Sequence, residues 1–188
     1  AWLLQSAAGS SLGKMIIKLG KYFGFRTINL VRRAETAATL QKLGADIILD
    51  TSREDVVERV REVTGGEMVK YAVDAVGGPT ASQIVKCLGM QARLLVYGSL
   101  DWTAAEFTNR QLIGTGASIA GFALQQYSAR QSKFQMLQLL KQIGRLMQQN
   151  VLTTDIAEVY PVEKYLDALA AAESPGRQGK ILLQFAQR

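Results

Sequence analysis

Trp2-Leu3-Leu4-Gln5-Ser6-Ala7-Ala8-Gly9-Ser10-Ser11-Leu12-Gly13 decides the fold. A short apolar run ends in a cluster of small residues, and beyond that cluster the hydrophobic period changes. Leu12, Met15, Ile16, Leu19 and Phe23 recur at helical spacing, and Gly24 stands where a left-handed residue would end a helix. The order is strand, small-residue turn, helix.

The same alternation continues along the chain. Residues 27–31 (Thr-Ile-Asn-Leu-Val) read as a second strand, followed by a helical segment to Leu43 that Gly44 stops. Residues 45–50 give a third strand. Ser52, with Asp55 three residues later, predicts a capping box that opens a helix with the apolar stripe Val56, Val57, Val60 and Val63. Residues 71–76 form a fourth strand, Gly77-Gly78-Pro79 a turn, residues 80–88 a helix with Gly89 behind it, and residues 93–97 a fifth strand. After an irregular stretch, residues 118–124 form a sixth strand. Residues 131–149 make a long helix with Met136, Leu140, Ile143 and Met147 on one face. Repeated strand–helix units of this length specify an α/β fold: a Rossmann-type, doubly wound, mostly parallel sheet of about six strands with helices on both faces. A strand over residues 156–160, a helix through Ala172, a loop over residues 174–179 and a strand over residues 180–185 form a C-terminal strand–helix–strand appendix. It either joins the same sheet or returns toward another part of a longer protein.

The composition, 48% hydrophobic and 20% charged, is that of a globular chain. No apolar run approaches the roughly 20 residues of a membrane span and no basic leader opens the chain, so the expected location is cytoplasmic, with no membrane partner. One cysteine and no histidine exclude a disulfide framework, a Cys/His zinc cluster and a Ser-His-Asp or Cys-His nucleophile within this chain. No metal site is expected, and Cys87 reads as inert core. The net charge of +6 is unevenly placed. Residues 1–34 carry Lys14, Lys18, Lys21, Arg26, Arg32 and Arg33 and no acid, which suits an anionic ligand near the N-terminal third. A second acid-free stretch, residues 107–154, contains Arg110, Arg130, Lys133, Lys141 and Arg145 and reads as a solvated helix face. Without aromatic-interleaved basic patches or a reading motif, nucleic acid is not an expected partner.

The turn occupies the position of a dinucleotide-binding loop, where small residues let backbone amides at a helix N-terminus approach a pyrophosphate. Of the usual Gly-x-Gly-x-x-Gly pattern only Gly13 survives, with Ala8 and Ser10 in the other two places. Small residues there also serve packing alone. The end of the second strand adds a second signal. An acidic residue about 20 positions beyond the glycines binds the adenosine ribose in the NAD version of this fold, whereas basic side chains accommodate a 2′-phosphate. Here the residues are Arg32 and Arg33, which predicts NADPH. Arg32, with its planar donor fork, is the first choice, and Arg33 either shares the contact or stands in solvent. Asp74-Ala75-Val76-Gly77-Gly78 and Val96-Tyr97-Gly98-Ser99 each end a strand in glycine, where backbone can approach a ring or ribose. Asp74 reads as a hydrogen-bonded structural carboxylate.

On these residues the chain resembles the medium-chain dehydrogenase/reductase superfamily, in its zinc-independent branch of NADPH quinone reductases and 2-enoyl thioester reductases. Ala8-Gly9-Ser10-Ser11-Leu12-Gly13 is similar to the family's Ala-x-Gly-Gly-Val-Gly turn, with serines for both central glycines. Arg26-Thr27-Ile28-Asn29-Leu30-Val31-Arg32 resembles the mitochondrial-type enoyl reductases at the 2′-phosphate position. Leu43-Gly44-Ala45-Asp46, Leu95-Val96-Tyr97-Gly98, Gly121-Phe122-Ala123-Leu124-Gln125-Gln126-Tyr127 and Gly179-Lys180-Ile181-Leu182-Leu183 follow in the family's order. Thr51 stands where several quinone reductases place a tyrosine.

The resemblance implies hydride transfer from NADPH to an electron-poor C=C of a 2-enoyl thioester, or to a quinone. It assigns Ala8 and Ser10, Ser11, Leu12 and Gly13 to the pyrophosphate turn, Arg32 and Arg33 to the 2′-phosphate, Val76, Gly77, Tyr97 and Gly98 to the nicotinamide side, and Phe122 and Leu124 to the carboxamide and ring. No catalytic residue is expected in this chain, because family members carry the substrate pocket on a barrel-like domain that precedes the first strand here. The expected division is an NADP(H)-binding domain over residues 1–153 and, over residues 154–188, a segment that returns to that catalytic domain; the chain alone is expected to be inactive. The implied partners are a small-molecule substrate or an acyl thioester on coenzyme A or an acyl carrier protein, the latter meeting the helix around Lys133 and Lys141, and a second copy in a homodimer through the sixth strand. Trp102 and Tyr127 fall near the expected cofactor end. The alternatives are a non-catalytic NADP(H)-binding module and an S-adenosylmethionine methyltransferase; two arginines after the second strand disfavour the latter.

Overall fold

The computed structural model describes residues 1–174 and 179–185, so the expected loop over residues 174–179 falls mainly outside the described residues. The first strand, β1 (Trp2–Gln5), runs into the small-residue turn and then into α1 (Ser11–Phe23). Ser10 caps the helix by accepting from the Gly13 N–H at 3.0 Å, and Gly24 ends it with φ 77°, as its position in the apolar period requires. There follow β2 (Arg26–Val31), a 3-10 turn, α2 (Ala37–Lys42), β3 (Ile47–Asp50), α3 (Val56–Val63), β4 (Val69–Asp74), α4 (Gly78–Lys86), β5 (Leu88–Val96), α5 (Asn109–Thr115) and β6 (Ser118–Gly121).

The six strands form one parallel sheet in the order β3-β2-β1-β4-β5-β6. Chain order reverses between β1 and β4. Right-handed crossovers on either side of that reversal place α1 and α2 on one face and α3 to α5 on the other. The buried side chains sort accordingly. Ile17 and Leu40 pack with Ala8 and Val31 on one side, while Val56, Val60, Ile84 and Val85 pack with Leu4, Ile28, Leu49 and Leu94 on the other. Covered on both faces, β2 buries every residue except Arg26.

At the reversal, the C-terminal ends of β1 and β4 are joined by a buried carboxylate. Asp74 has no exposed surface and accepts from Ser6 Oγ (2.5 Å), the Val76 N–H (3.0 Å) and the Gly77 N–H (2.9 Å). Ser6 Oγ in turn accepts from the Ala75 N–H at 2.9 Å. This is the structural role expected of Asp74.

Several boundaries differ from the sequence reading, each for a local reason. Asp55, not Ser52, caps α3 by accepting from the N–H groups of Val57 and Glu58, because Ser52 is held by Asp50 through both its hydroxyl and its amide. The sixth strand stops at Gly121 because its partner β5 ends opposite it at Val96; Leu124 instead opens α6 (Leu124–Arg130). The stretch read as irregular contains α5, at whose start the Thr108 N–H donates to Gln111 Oε1 at 2.9 Å. Gly78 and Pro79 are the first residues of α4 rather than a turn before it, and Leu88 and Gly89 already belong to β5. The long helix is α7 (Lys133–Gln148), and Leu140 and Met147 point outward while Leu146 is its buried residue.

The tail does not join the main sheet. Strands β7 (Ile156–Pro161) and β8 (Lys180–Gln184) pair in parallel as a separate two-stranded sheet, connected through α8 (Tyr165–Glu173). Two contacts tie its beginning to α1: Lys14 Nζ meets Asp155 at 2.8 Å, and Lys18 donates to Thr153 Oγ1. Lys14 holds the Asp155 carboxyl below the usual range.

Asp74→Ala leaves two backbone N–H groups and the Ser6 hydroxyl without an acceptor, and hydrogen bonds to a charged group contribute about 1.5–3 kcal/mol each. The substitution is expected to lower the unfolding free energy by about 3 kcal/mol or more, read from the urea midpoint at constant m-value. An unchanged midpoint would contradict the role given to Asp74.

Candidate functional site

A cleft of about 860 Å³ opens beyond the C-terminal ends of β1 to β4, at the reversal where open α/β sheets bind their ligands. One end is the small-residue turn. Ala7 takes a left-handed φ of 48°, which swings the chain back under α1. At Gly13 a Cβ would lie 2.6 Å from Ala8 O and 2.7 Å from Ala7 O, so a side chain there would push the helix off its seat. At Gly9 a Cβ would come within 2.8 Å of Thr36 Cγ2. The helix therefore starts directly at the cleft wall.

The turn's donors are not equivalent. Gly13 N–H is taken by Ser10 Oγ, and Lys14 N–H by Ser10 O, whereas the N–H groups of Ser11 and Leu12 have no acceptor among the described residues. The set Ser10 to Gly13 assigned from sequence thus divides. Ser11 and Leu12 offer free amides at the positive end of a 13-residue helix, Ser10 lines the cleft and can donate its hydroxyl proton, and Gly13 and Ala8 shape the wall from beneath.

A second wall carries Arg32 and Arg33, both exposed, both lining the cleft and both without an ion pair among the described residues. The third wall is Val76 with the loop Leu100–Thr103, which the N–H of Asp101 fastens to Val76 O at 2.7 Å. Hydrogen bonds from the Thr103 backbone and hydroxyl hold the Asp101 carboxyl below its usual range, and the positive charge of Arg32 lowers it further.

The structure brings Ser10, Arg32, Arg33 and Val76 to one cleft and places the other sequence candidates around it. Gly77 follows Val76 with φ 83° and caps α4. Tyr97 and Gly98 lie past the end of β5; a Cβ at Gly98 would stand 2.8 Å from Ala75 O, so the two strand-end loops touch through backbone. The Tyr97 hydroxyl is buried without a hydrogen-bond partner among the described residues, and burial, then Asp74, push its pKa up. Phe122 donates its N–H to Val96 O and its ring lies 5.6 Å from that of Tyr127, while Leu124 is 70% exposed on α6. These residues extend from the ends of β5 and β6, outside the residues that line the cleft.

Sequence reasoning missed Lys14, Thr36 and Asp101 on the cleft wall. The charge of Lys14 was visible, but its partner Asp155 is 141 residues away and no local pattern signals it. Asp101-Trp102-Thr103 carried a usable sign, an Asp-x-Thr turn in which Asp101 accepts from both the N–H and the hydroxyl of Thr103.

Residues 11–142 match the sequence profile of the zinc-binding dehydrogenases. The chain belongs to the zinc-binding dehydrogenase family. This agrees with the resemblance to the medium-chain dehydrogenase/reductase superfamily. The mitochondrial enoyl-[acyl-carrier-protein] reductase of Bos taurus is 25% identical over 185 residues, 96% of this chain and 50% of its own. Quinone oxidoreductase 1 of Escherichia coli K12 is 27% identical over 186 residues, 97% of this chain and 56% of its own. Among solved structures, the Escherichia coli quinone oxidoreductase complexed with NADPH matches with a TM-score of 0.84 at 24% identity, over 97% of this chain and 57% of that one, which shows a shared fold. The chain spans about half the length of the curated relatives it matches.

The family's name implies zinc, and the donors here do not fit it. The chain has no histidine, Cys87 is fully buried, and among the described residues no group of three or more His, Cys, Asp and Glu could hold a metal ion. No helix among the described residues is long and apolar enough to cross a membrane.

Two outcomes follow from this geometry. Gly13→Ala is expected to destabilise the chain by about 1–3 kcal/mol, since backbone rather than a flexible side chain must move, and thermal unfolding measures this. Burial pushes the Cys87 thiol up to about 12, so at pH 8 the native chain is expected not to react with a thiol reagent, and to react once unfolded. Rapid labelling of the native chain would contradict the burial.

Proposed function

We propose that this chain is the NADPH-binding part of a reductase that delivers a hydride to an electron-poor C=C of a 2-enoyl thioester or to a quinone. The observation that carries the reading is one cleft lined by Ser10, the cap of a helix whose next two amides are free, and by two arginines without an ion pair among the described residues. Donors of these two kinds suit a pyrophosphate and a 2′-phosphate on one ligand. NADPH, when bound, supplies the hydride.

The chain's own residues bind and orient. Ser11 and Leu12 donate backbone N–H groups, and Ser10 its hydroxyl, to the pyrophosphate. Gly13 and Ala8 keep the helix start close to it. Arg32 takes the 2′-phosphate through its planar fork, with Arg33 beside it. Val76, Gly77, Tyr97 and Gly98 form the nicotinamide side, where two glycines let backbone approach. Phe122 and Leu124 flank the carboxamide and ring and exclude water there.

The reading extends to the whole protein. The reaction is zinc-independent in this proposal, as the resemblance to the NADPH quinone and enoyl thioester reductases implies. Residues 1–153 act as the cofactor domain and residues 154–188 lead back to a catalytic domain, so the chain alone is inactive. The substrate is a small molecule or an acyl thioester on coenzyme A or an acyl carrier protein, for which the exposed Lys133 and Lys141 of α7 offer charge. A homodimer forms through the open edge of β6. A cytoplasmic location, where a lone thiol stays reduced, goes with this reading.

Titration with NADPH and with NADH, followed by nicotinamide fluorescence, tests it. The unsubstituted chain is expected to prefer NADPH. Arg32→Ala is expected to cut the ratio of NADPH to NADH affinity by about tenfold or more, as loss of a charge-assisted contact requires. An unchanged ratio would remove Arg32 from the phosphate site.

A further inference from the structure

The loop beyond Val76 on the third wall of the cleft has no role in the reading above. After β5 the loop Leu100–Thr103 folds back to line the cleft with Arg32 and Arg33. Its backbone is fixed. Leu100 N–H donates to Ala75 O at 3.3 Å, Asp101 N–H to Val76 O at 2.7 Å, and the Thr103 amide and hydroxyl both donate to Asp101 Oδ1 at 2.9 and 2.7 Å. Gly78 makes room beneath it, since a Cβ there would stand 2.6 Å from Thr103 Oγ1. An anchored loop holds its side chains in place, yet the Trp102 indole is 92% exposed while lining the cleft. Among the residues that line the cleft, it is the one aromatic side chain.

We propose that Trp102 is the stacking plate for the adenine of the bound dinucleotide, closing the adenosine end of the cleft near Arg32. The inference rests on the cofactor reading and deepens it. If the pyrophosphate lies on Ser11 and Leu12 and the 2′-phosphate on Arg32, the adenine is attached to the very ribose that Arg32 holds. It must then occupy the space beside that arginine. Arg32, Asp101 and Trp102 line the same cleft, which puts the loop across from the 2′-phosphate site. An indole presents a flat apolar face to a purine, and a base stacked on an aromatic ring gains binding without needing a matched hydrogen-bond pattern. Stacking also covers the indole, the largest apolar surface left bare at the cleft mouth.

The chain's other tryptophan makes the test clean. Trp2 opens β1 at the opposite end of the sheet, with the Arg26 guanidinium 3.9 Å from its ring. In Trp2→Phe protein, Trp102 is the sole indole, and adenosine 2′,5′-bisphosphate is expected to quench its emission, whereas nicotinamide mononucleotide is not. Trp102→Ala is expected to weaken adenosine 2′,5′-bisphosphate and NADPH by about tenfold or more, and Trp102→Phe to restore most of that affinity. Unchanged affinity in Trp102→Ala, with NADPH still bound by the unsubstituted chain, overturns the role of Trp102 and leaves the cofactor reading intact. Equal loss in the Ala and Phe variants also overturns it, since a ring that stacks is replaceable by another ring. If the unsubstituted chain binds neither ligand, the cofactor reading falls and this inference with it.

Discussion

The Asp74 carboxylate is the constraint on which the site depends. A parallel sheet whose order reverses sends the chains leaving the two flanking strands to opposite sides, and beyond the Ser6 N–H bond to Val73 O no ladder joins them. Ser6 and Asp74 bridge the two strand ends with a buried hydrogen bond, and Asp74 spends its remaining acceptor capacity on the amides of Val76 and Gly77. The same carboxylate that joins β1 to β4 thus sets the path of the chain along one cleft wall. Val76 O then holds the loop that carries Asp101 and Trp102. The third wall of the cleft traces back to one buried carboxylate.

The other end is governed by backbone contact rather than charge. Gly13 lets α1 sit on the carbonyls of Ala7 and Ala8, and the Ser10 cap satisfies one helix-end amide while leaving the next two open. The serines in place of the usual glycines therefore do not close the turn. Ser10 is drawn into capping, and Ser11 contributes its main chain.

The main sheet was legible because buried parallel strands and amphipathic helices impose different periods, and Gly24 marks a helix end through its left-handed backbone. The position of Arg32 and Arg33 at the cleft was legible because they directly follow the second strand. Less was visible where structure depends on what lies across space. The strand through Gly121 looked longer because Phe122-Ala123-Leu124 is apolar, but β5 offers nothing to pair with beyond Val96. Spacing alone puts Leu140 on one apolar face with Met136, Ile143 and Met147, while Leu146 is the residue the fold buries. The cleft's third wall depends on a loop 25 residues from Val76 folding back to it, which no local pattern encodes. The helix α5 was a different case: Thr108 and Gln111 spelled a cap that went unread.

The last strand of the sheet has a further consequence. Ser118–Gly121 pairs with β5 on one side, and among the described residues no strand meets its other side. All four of its residues are exposed. Such a margin leaves a row of carbonyls and amides that water satisfies only loosely and that an incoming extended segment satisfies well. An open margin of this kind makes the crowding of a sample, and not only the packing of an interior, a variable in how such a sheet behaves.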